Sequence, residues 1–310
     1  MVTPIDSIRE GLGQVEPEVG LVRRLGAGYE AEIFAYSTRD EVRVLRLFPN
    51  PLCDESASWE AAVLRQLAEA GFPAPALFGF GASDRSPWGR PFLLLEFIEG
   101  ESLGPAFWGP PSPARDEARS TLFKLMARLH SLDAGRLVGE HPIPLFRHLE
   151  DIGNHLSPQV YDALAKALPK GEATAVLHGD FHANNVLRGA RGCTVIDWSD
   201  AWRGDPRFDV AWIRILTRAD LEPDRGQADL DRYGLPLGDL RPFEAFGAAK
   251  ILVEAKRALS GEASRLQTNV VERIDPEFMR YLAGIVSNRL SVDVAGFLGK
   301  RLESIVQGGR

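Results

Sequence analysis

The stretch VLHGDFHANNVLRGARGCTVIDWSD, residues 176–200, limits the possible folds more than any other part of the chain. Asn-Asn-Val-Leu-Arg and Cys-Thr-Val-Ile-Asp stand on either side of Gly-Ala-Arg-Gly, residues 189–192. Apolar and β-branched arms around a Gly-rich quartet predict a hairpin closed by a four-residue loop. Folding the arms together brings Asn185 near Asp197 at the open end, and that proximity survives a one-residue shift of register. Asp180 lies on the loop feeding the hairpin, directly after Gly179. Three oxygen-bearing side chains are thereby gathered in an otherwise apolar segment.

Oxygen donors in a partial set suit Mg²⁺, which keeps several waters and takes further ligands from phosphates. An aspartate left free of the metal can accept a hydroxyl proton. A carboxylate base, an amide five residues on and a second carboxylate twelve beyond that form the D-x-x-x-x-N…D pattern of kinase active sites. Asp and Asn also collect in turns for conformational reasons alone. What sets this turn apart is the hairpin that follows, with apolar Ile196 before the last Asp. His178 and His182 have no cysteine or third histidine close by, so they read as hydrogen-bonding groups rather than zinc ligands.

Two charges elsewhere contradict their apolar surroundings. Residues 55–70, ESASWEAAVLRQLAEA, carry helical periodicity and stop at Gly71. With Glu60 set at zero, Trp59, Val63, Leu67 and Leu64 fall at about −100°, −60°, −20° and +40°, so Glu60 sits inside the apolar arc. Upstream, in VRVLRLF, Arg46 shares a strand face with Val42, Val44 and Phe48. An Arg46–Glu60 pair solves both problems and aims the guanidinium at a cleft; the alternative is an Arg that snorkels to solvent and a Glu at a helix edge. In GDPRFDVAWIRIL, Asp205-Pro206 predicts a helix start, and Asp209 points inward with Ile213 and Leu216. A buried Asp209 is expected to accept bonds from the backbone of the Asp180 loop. Gly26 and Gly28, in LGAGYEAEIF, would let backbone N–H groups approach phosphates. The strand end at LLLEFIEG offers the backbone of Glu96 and Ile98 to an adenine edge.

The remaining segments fall into two classes. The first hundred residues read as strands with one helix: 21–25, 31–36, 42–48, 76–82 and 91–98 around the helix at 55–70. A Pro/Gly loop at 104–116 follows, then helical patterns at 115–132, about 145–167, 206–219 and most of 240–307. This predicts an α+β, bilobal chain, with a β-rich lobe over 1–98 and a mainly helical lobe over 99–310 that holds the Asp180 loop. The net charge of −7 disfavours nucleic acid and acidic membranes as partners. No apolar run is long enough to span a bilayer, the N-terminus lacks a signal-peptide pattern, and two cysteines, Cys53 and Cys193, fit a reducing cytoplasm. His141, His148 and His155 recur at seven-residue spacing, about 10 Å apart on a helix, too far to share a metal.

The ordered set LGAGYEAEIF, VLRL, WEAAVLRQLAEAGFPAP, LLLEFIEGESL, MARLHSLD, VLHGDFHANNVL and VIDWSDAWRGDPRFDVAW, over residues about 25 to 217, resembles the aminoglycoside phosphotransferases and related small-molecule kinases. The resemblance implies a protein-kinase-like fold binding ATP between its lobes. It implies Asp180 as catalytic base, Asn185 and Asp197 as magnesium ligands, and Arg46 on the α/β-phosphates with Glu60 as its helix partner. It implies adenine binding at the Glu96 carbonyl and the Ile98 N–H. Arg46 departs from the commoner kinase lysine, though a guanidinium still holds phosphates. The implied reaction moves the γ-phosphate of ATP to a hydroxyl of a small molecule, an aminoglycoside-type antibiotic first, with a choline-, homoserine- or sugar-type metabolite as the alternative and a pseudokinase further off. Only eight residues separate Asp197 from Pro206, too few for the activation segment of a protein kinase. The acidic stretch ADLEPDRGQADLDRYG would attract a polyamine, or form a solvated surface.

Overall fold

The computed structural model describes residues 3–27, 31–136, 145–170, 175–260, 275–294, 296 and 298–307. Up to residue 110 the elements are α1 (Ile5–Val15), β1 (Val22–Ala27), β2 (Glu32–Ser37), β3 (Val42–Leu47), α2 (Asp54–Glu69), β4 (Leu77–Gly81), β5 (Phe92–Glu96), β6 (Glu101–Ser102) and α3 (Gly104–Trp108). Then come α4 (Pro113–His130), α5 (Leu145–His155), α6 (Pro158–Ala167), β7 (Ala175–Leu177), β8 (Val186–Gly189), β9 (Gly192–Val195) and β10 (Trp202–Gly204). Helices α7 (Arg207–Leu216), α8 (Pro223–Tyr233), α9 (Arg241–Ser260), α10 (Pro276–Leu290) and α11 (Gly299–Gln307) complete the chain. The α+β class expected from the sequence is the observed one.

The described residues group into two compact units. The first holds 3–110, 135–136 and 183–201; the second holds 111–134, 145–182 and 202–307. The hairpin bearing Asn185 and Asp197 therefore groups with the first unit, and Asp180 with the second.

In the first unit, an antiparallel sheet runs in the order β1-β2-β3-β5-β4. Side chains alternate across it. Leu45 and Leu47 of β3 join Phe34, Tyr36, Phe92 and Leu94 in a core capped by Ile8 and Leu12 of α1. Arg46, between the two leucines, therefore faces the other side, where α2 lies and Glu60 is buried. Helix α1 is an element the sequence reading missed. Its signal was present: Ile5, Ile8, Leu12 and Val15 form one apolar stripe. A three-stranded sheet, β6-β8-β9, carries the hairpin.

The hairpin register pairs Val186 with Val195 and Gly189 with Gly192. The connection is thus two residues, Ala190 and Arg191, and the expected four-residue loop is corrected: both glycines already belong to the ladder. The Pro/Gly loop is also corrected, since α3 occupies its start.

The second unit is mainly helical. Helix α9 is buried along most of its length, and Leu252, Val253, Leu282 and Val286 lie at the centre of a core shared with α5, α6, α7, α10 and α11. The helix expected over about 145–167 is two helices. Ser157 caps the second, its hydroxyl accepting from Gln159 N at 3.0 Å, and Pro158 cannot donate to a continuing helix. The charge-rich stretch near 220–234 contains α8, started by Pro223 and ended by Gly234 at φ +74°. The long pattern over 240–307 resolves into α9, α10 and α11. Among the described residues, no helix is long and apolar enough to cross a membrane.

Candidate active site

The first unit places Arg46 between two carboxylates. Its Nε lies 3.2 Å from Glu60 Oε2, and its Nη1 donates to Asp197 Oδ1 at 2.8 Å. Arg46 and Glu60 are both buried, so each compensates a charge that would otherwise cost several kcal/mol to remove from water. The pair expected from the strand and helix periodicities is present, and Asp197 extends it into a three-residue chain.

Asp197 stands just past β9, at φ +66°. Asp tolerates this left-handed region better than most residues, at a modest cost. The turn is held from three sides. Trp198 is buried, donates from its indole to Val195 O at 2.9 Å and meets Phe72 edge-on. Val195 N donates to Pro73 O at 2.8 Å. Trp59 of α2 donates to Ala201 O at 2.6 Å. On the facing arm, Asn185 O accepts from Ile196 N at 2.9 Å, which continues the ladder and sets Asn185 beside Asp197 at the open end, as the sequence predicted. Asn185 is nearly buried, whereas the Asp197 side chain is 44% exposed. Two oxygen donors on adjacent arms, one of them open to solvent, fit a cation that retains waters.

The second unit places Asp180 on a turn between β7 and the residues leading to the hairpin. Gly179, at φ +80°, supplies a backbone shape that other residues adopt at a cost. Trp212 Nε1 donates to the carboxylate's Oδ1 at 2.8 Å, and His182 Nε2 lies 3.3 Å from its Oδ2.

Asp209 fixes the same turn from below. Its carboxylate accepts from His178 N at 2.8 Å and from Gly179 N at 3.0 Å. It also meets His130 Nε2 at 3.1 Å, and His130 Nδ1 contacts Tyr233 OH at 2.8 Å. Full burial pushes the Asp209 pKa up, but the His130 bond and charge and the His178 amide more than offset this, leaving it below the ordinary aspartate value. The structural role expected for Asp209 is met. Helix α7 starts one residue later than expected, at Arg207, with Asp205 Oδ1 accepting from its N–H at 3.0 Å. Neither Trp212 nor His130 stood out in the sequence: an aromatic residue or a histidine on a helix face is ordinary core composition.

The other expected contacts are distributed as follows. Gly26 is not in a turn; it pairs with Ile33 after a bulge at Leu25, and Gly28 lies outside the described residues. Glu96 ends β5 opposite Arg43, and its side chain accepts from Ala76 N at 3.2 Å and pairs with Arg191. Ile98 lies two residues beyond that strand. His141 lies outside the described residues; His148 meets the Phe246 ring edge-on, and His155 lies 3.4 Å from Asp151.

Residues 21–246 match the phosphotransferase enzyme family, and the chain belongs to it. Over 212 residues, 62% of the chain, it is 27% identical to acyl-CoA dehydrogenase family member 11 of Gallus gallus, and it spans only 27% of that relative. It is 25% identical to an aminoglycoside 3'-phosphotransferase of Streptomyces fradiae over 63% of the chain and 74% of that protein. Choline kinase LicA from Streptococcus pneumoniae has a similar structure, with TM-score 0.63 and 14% identity over 92% of this chain and 98% of that one. So does a thermostable mutant of aminoglycoside phosphotransferase APH(4)-Ia in ternary complex with ADP and hygromycin B, with TM-score 0.60 and 19% identity over 92% and 98% of the two chains. At these identities the structural likeness shows a common fold.

Proposed function

We propose that the chain transfers the γ-phosphate of ATP, with magnesium, to a hydroxyl group of a small molecule. The observation that carries this reading is the chain of contacts Glu60–Arg46–Asp197, which aims a guanidinium at the side chain best suited to hold a nucleotide's metal. Asn185 and Asp197 would hold the magnesium, which when bound offsets the charge of the β- and γ-phosphates. Arg46 steadies the phosphate chain, and the backbone of Gly26, near the end of β1, would lie along it. The Glu96 carbonyl and Ile98 N–H receive the adenine edge. Asp180 orients the acceptor hydroxyl and takes its proton as the new oxygen–phosphorus bond forms and ADP departs. An ATP-containing, reducing cytoplasm suits two free cysteines.

An aminoglycoside-type acceptor follows from the family likeness. A specific feature favours the second reading, an alcohol carrying few positive charges, such as a choline-, homoserine- or sugar-type metabolite. Carboxylates of the helical unit are matched to its own arginines: Glu244 to Arg214 and Arg289, Asp275 and Glu277 to Arg218. Carboxylates so engaged offer little to the ammonium groups of a polycation.

An ATP-consumption screen with Mg²⁺ tests both levels. It would compare polycationic antibiotics with neutral and singly charged alcohols, using the Asp180→Ala variant as control. Turnover with one acceptor class, reduced about 10²- to 10⁴-fold in that variant, supports the reaction and assigns the class. Undiminished transfer by Asp180→Ala removes Asp180 from its role. Tight ATP binding with no turnover on any hydroxyl compound would favour a nucleotide-binding pseudokinase.

A further inference from the structure

We propose that His130 is a positioning residue for the turn that carries Asp180, acting through the Asp209 carboxylate with its own ring held by Tyr233. This rests on the reading of Asp180 as the base. Three successive amides of the turn are bound. His178 N and Gly179 N donate to Asp209 at 2.8 and 3.0 Å, and Asp180 N donates to the His178 ring at 3.3 Å. A shift of the Asp209 carboxylate therefore reaches the backbone of the base within one residue.

Among the described residues, the third hydrogen bond to that carboxylate comes from His130 Nε2, 3.1 Å from Oδ2. The two amides belong to the turn that is being placed, so His130 supplies the bond that ties the carboxylate to a different helix. Without the ring, one amide would remain on each oxygen, and carboxylate and turn could swing together about the last side-chain bond. An ionised carboxylate only accepts, so Nε2 carries a proton in either charge state of the ring. Tyr233 OH, 2.8 Å from Nδ1, serves both states, as donor to a bare nitrogen or acceptor from a protonated one.

Three helices clamp the ring. His130 ends α4, Asp209 stands in the first turn of α7, and Tyr233 ends α8. All three side chains are buried, which strengthens both bonds. Tyr233 and Asp229, four residues apart on one face of α8, both meet α4, the latter at Arg119. The charge-rich stretch near 220–234 thus fixes, through α8, the ring that fixes the turn.

The test uses the full chain with Mg²⁺ and ATP, reading basal ADP release with water as acceptor, together with amide hydrogen exchange. His130→Leu fills the space without a donor, and His130→Gln returns an N–H near the place of Nε2. Expected in His130→Leu is a kcat lowered about 10- to 100-fold with KM for ATP within about twofold, as for one lost bond to a charged group. His130→Gln is expected to stay within about fivefold of the native kcat. Exchange at the His178 and Gly179 amides should quicken in His130→Leu by more than at the amides of α9, and should not do so in His130→Gln. In an Asp209→Ala background His130→Leu should lower kcat no further, because its effect passes through the carboxylate. With Asp180→Ala impaired, an unchanged kcat in His130→Leu, an equal loss in the Leu and Gln variants, or quickening shared evenly with α9 overturns the proposal. Full activity in Asp180→Ala would instead overturn the base reading, so the two failures are distinguishable. Should His130→Leu fail to fold, ¹⁵N-histidine NMR of the native chain, assigned with His130→Gln, replaces it. His130 Nε2 is expected to carry an exchange-protected proton, and a bare Nε2 refutes the contact.

Discussion

Arg46 joins two carboxylates from distant parts of the chain: its Nη1 lies 2.8 Å from Asp197 Oδ1 and its Nε 3.2 Å from Glu60 Oε2. The Glu60 contact is buried at both ends, and the Asp197 contact is half open. The two should therefore separate in a mutational test. Glu60→Ala leaves a buried guanidinium short of its counter-charge and is expected to cost about 3–5 kcal/mol in urea unfolding. An Arg46→Met/Glu60→Leu double variant is expected to recover most of that stability while losing ATP turnover. Arg46→Lys keeps a charge but not a planar group reaching two carboxylates, and is expected to raise KM for ATP about tenfold. A double variant that regained activity along with stability would reduce Arg46 to a structural residue.

What the sequence revealed of this region follows from how charge interrupts pattern. Arg46 and Glu60 were legible because each breaks an apolar periodicity, and an ionised group on a buried face requires a partner. Asp209 was legible for the same reason. Asn185 and Asp197 followed from hairpin geometry, which tolerated the error in loop length because closure by two residues instead of four leaves the open end in place. Trp212 was not legible: nothing distinguishes an indole that packs from one that also donates. Helix α1 was overlooked for a different reason. Its apolar stripe is thinly spread over eleven residues, between polar and charged neighbours. The helix breaks at Pro158 and Pro223 were visible as residues, but whether a proline kinks, starts or ends a helix depends on the cap before it.

The Asp209 network sets an acid limit on the second unit. The pKa of Asp209 is lowered on folding: burial opposes ionisation, and the His130 bond and charge and the His178 amide outweigh it. The unfolded chain therefore takes up a proton before the folded one does as pH falls. The resulting stabilisation is fully present above the ordinary aspartate range and is lost as pH drops through the lower folded value. Tyr233, beyond His130, keeps its proton throughout, since burial and then Asp209 raise its pKa. Unfolding free energies measured by urea from pH 6 downward should fall more steeply for the native chain than for Asp209→Asn. Parallel curves would mean that Asp209 is not ionised in the folded state.

A second buried pair predicts the opposite behaviour from a catalytic contact. Arg119 of α4 and Asp229 of α8 are both buried; Nε and Oδ1 lie 2.9 Å apart, and Arg232 Nη1 adds a 3.1 Å contact to Oδ1. Removing one partner exposes the cost of the other. Arg119→Ala is expected to destabilise by roughly 3–5 kcal/mol. Replacing both residues, Arg119→Met with Asp229→Leu, is expected to return the melting temperature close to its starting value, because apolar groups of similar volume need no partner. Calorimetry of the three proteins decides it. ATP turnover per folded molecule should be the same in all of them, which separates this pair from Arg46 and Glu60.

The last prediction concerns how the hairpin is seated. Strand β6 pairs with β8, Glu101 opposite Arg188 and Ser102 opposite Leu187. The approach continues past the paired residues: a Cβ at Gly189 would lie 2.3 Å from Glu99 O, and one at Gly100 only 2.5 Å from Arg188 O. Both obstacles are backbone atoms, which cannot swing aside as a side chain does. Gly189→Ala must therefore push the hairpin away from residues 99–102, at about 1–3 kcal/mol. Since Asn185 and Asp197 stand at the other end of the same two strands, the displacement should also weaken Mg·ATP binding, measured calorimetrically. Ala190→Ser, at the exposed tip one residue on, changes no such contact and is expected to stay within about 0.5 kcal/mol of the native chain. Equal melting temperatures for Gly189→Ala and Ala190→Ser would show that the backbone at 189 has room to spare, and that β6 does not set the position of the hairpin.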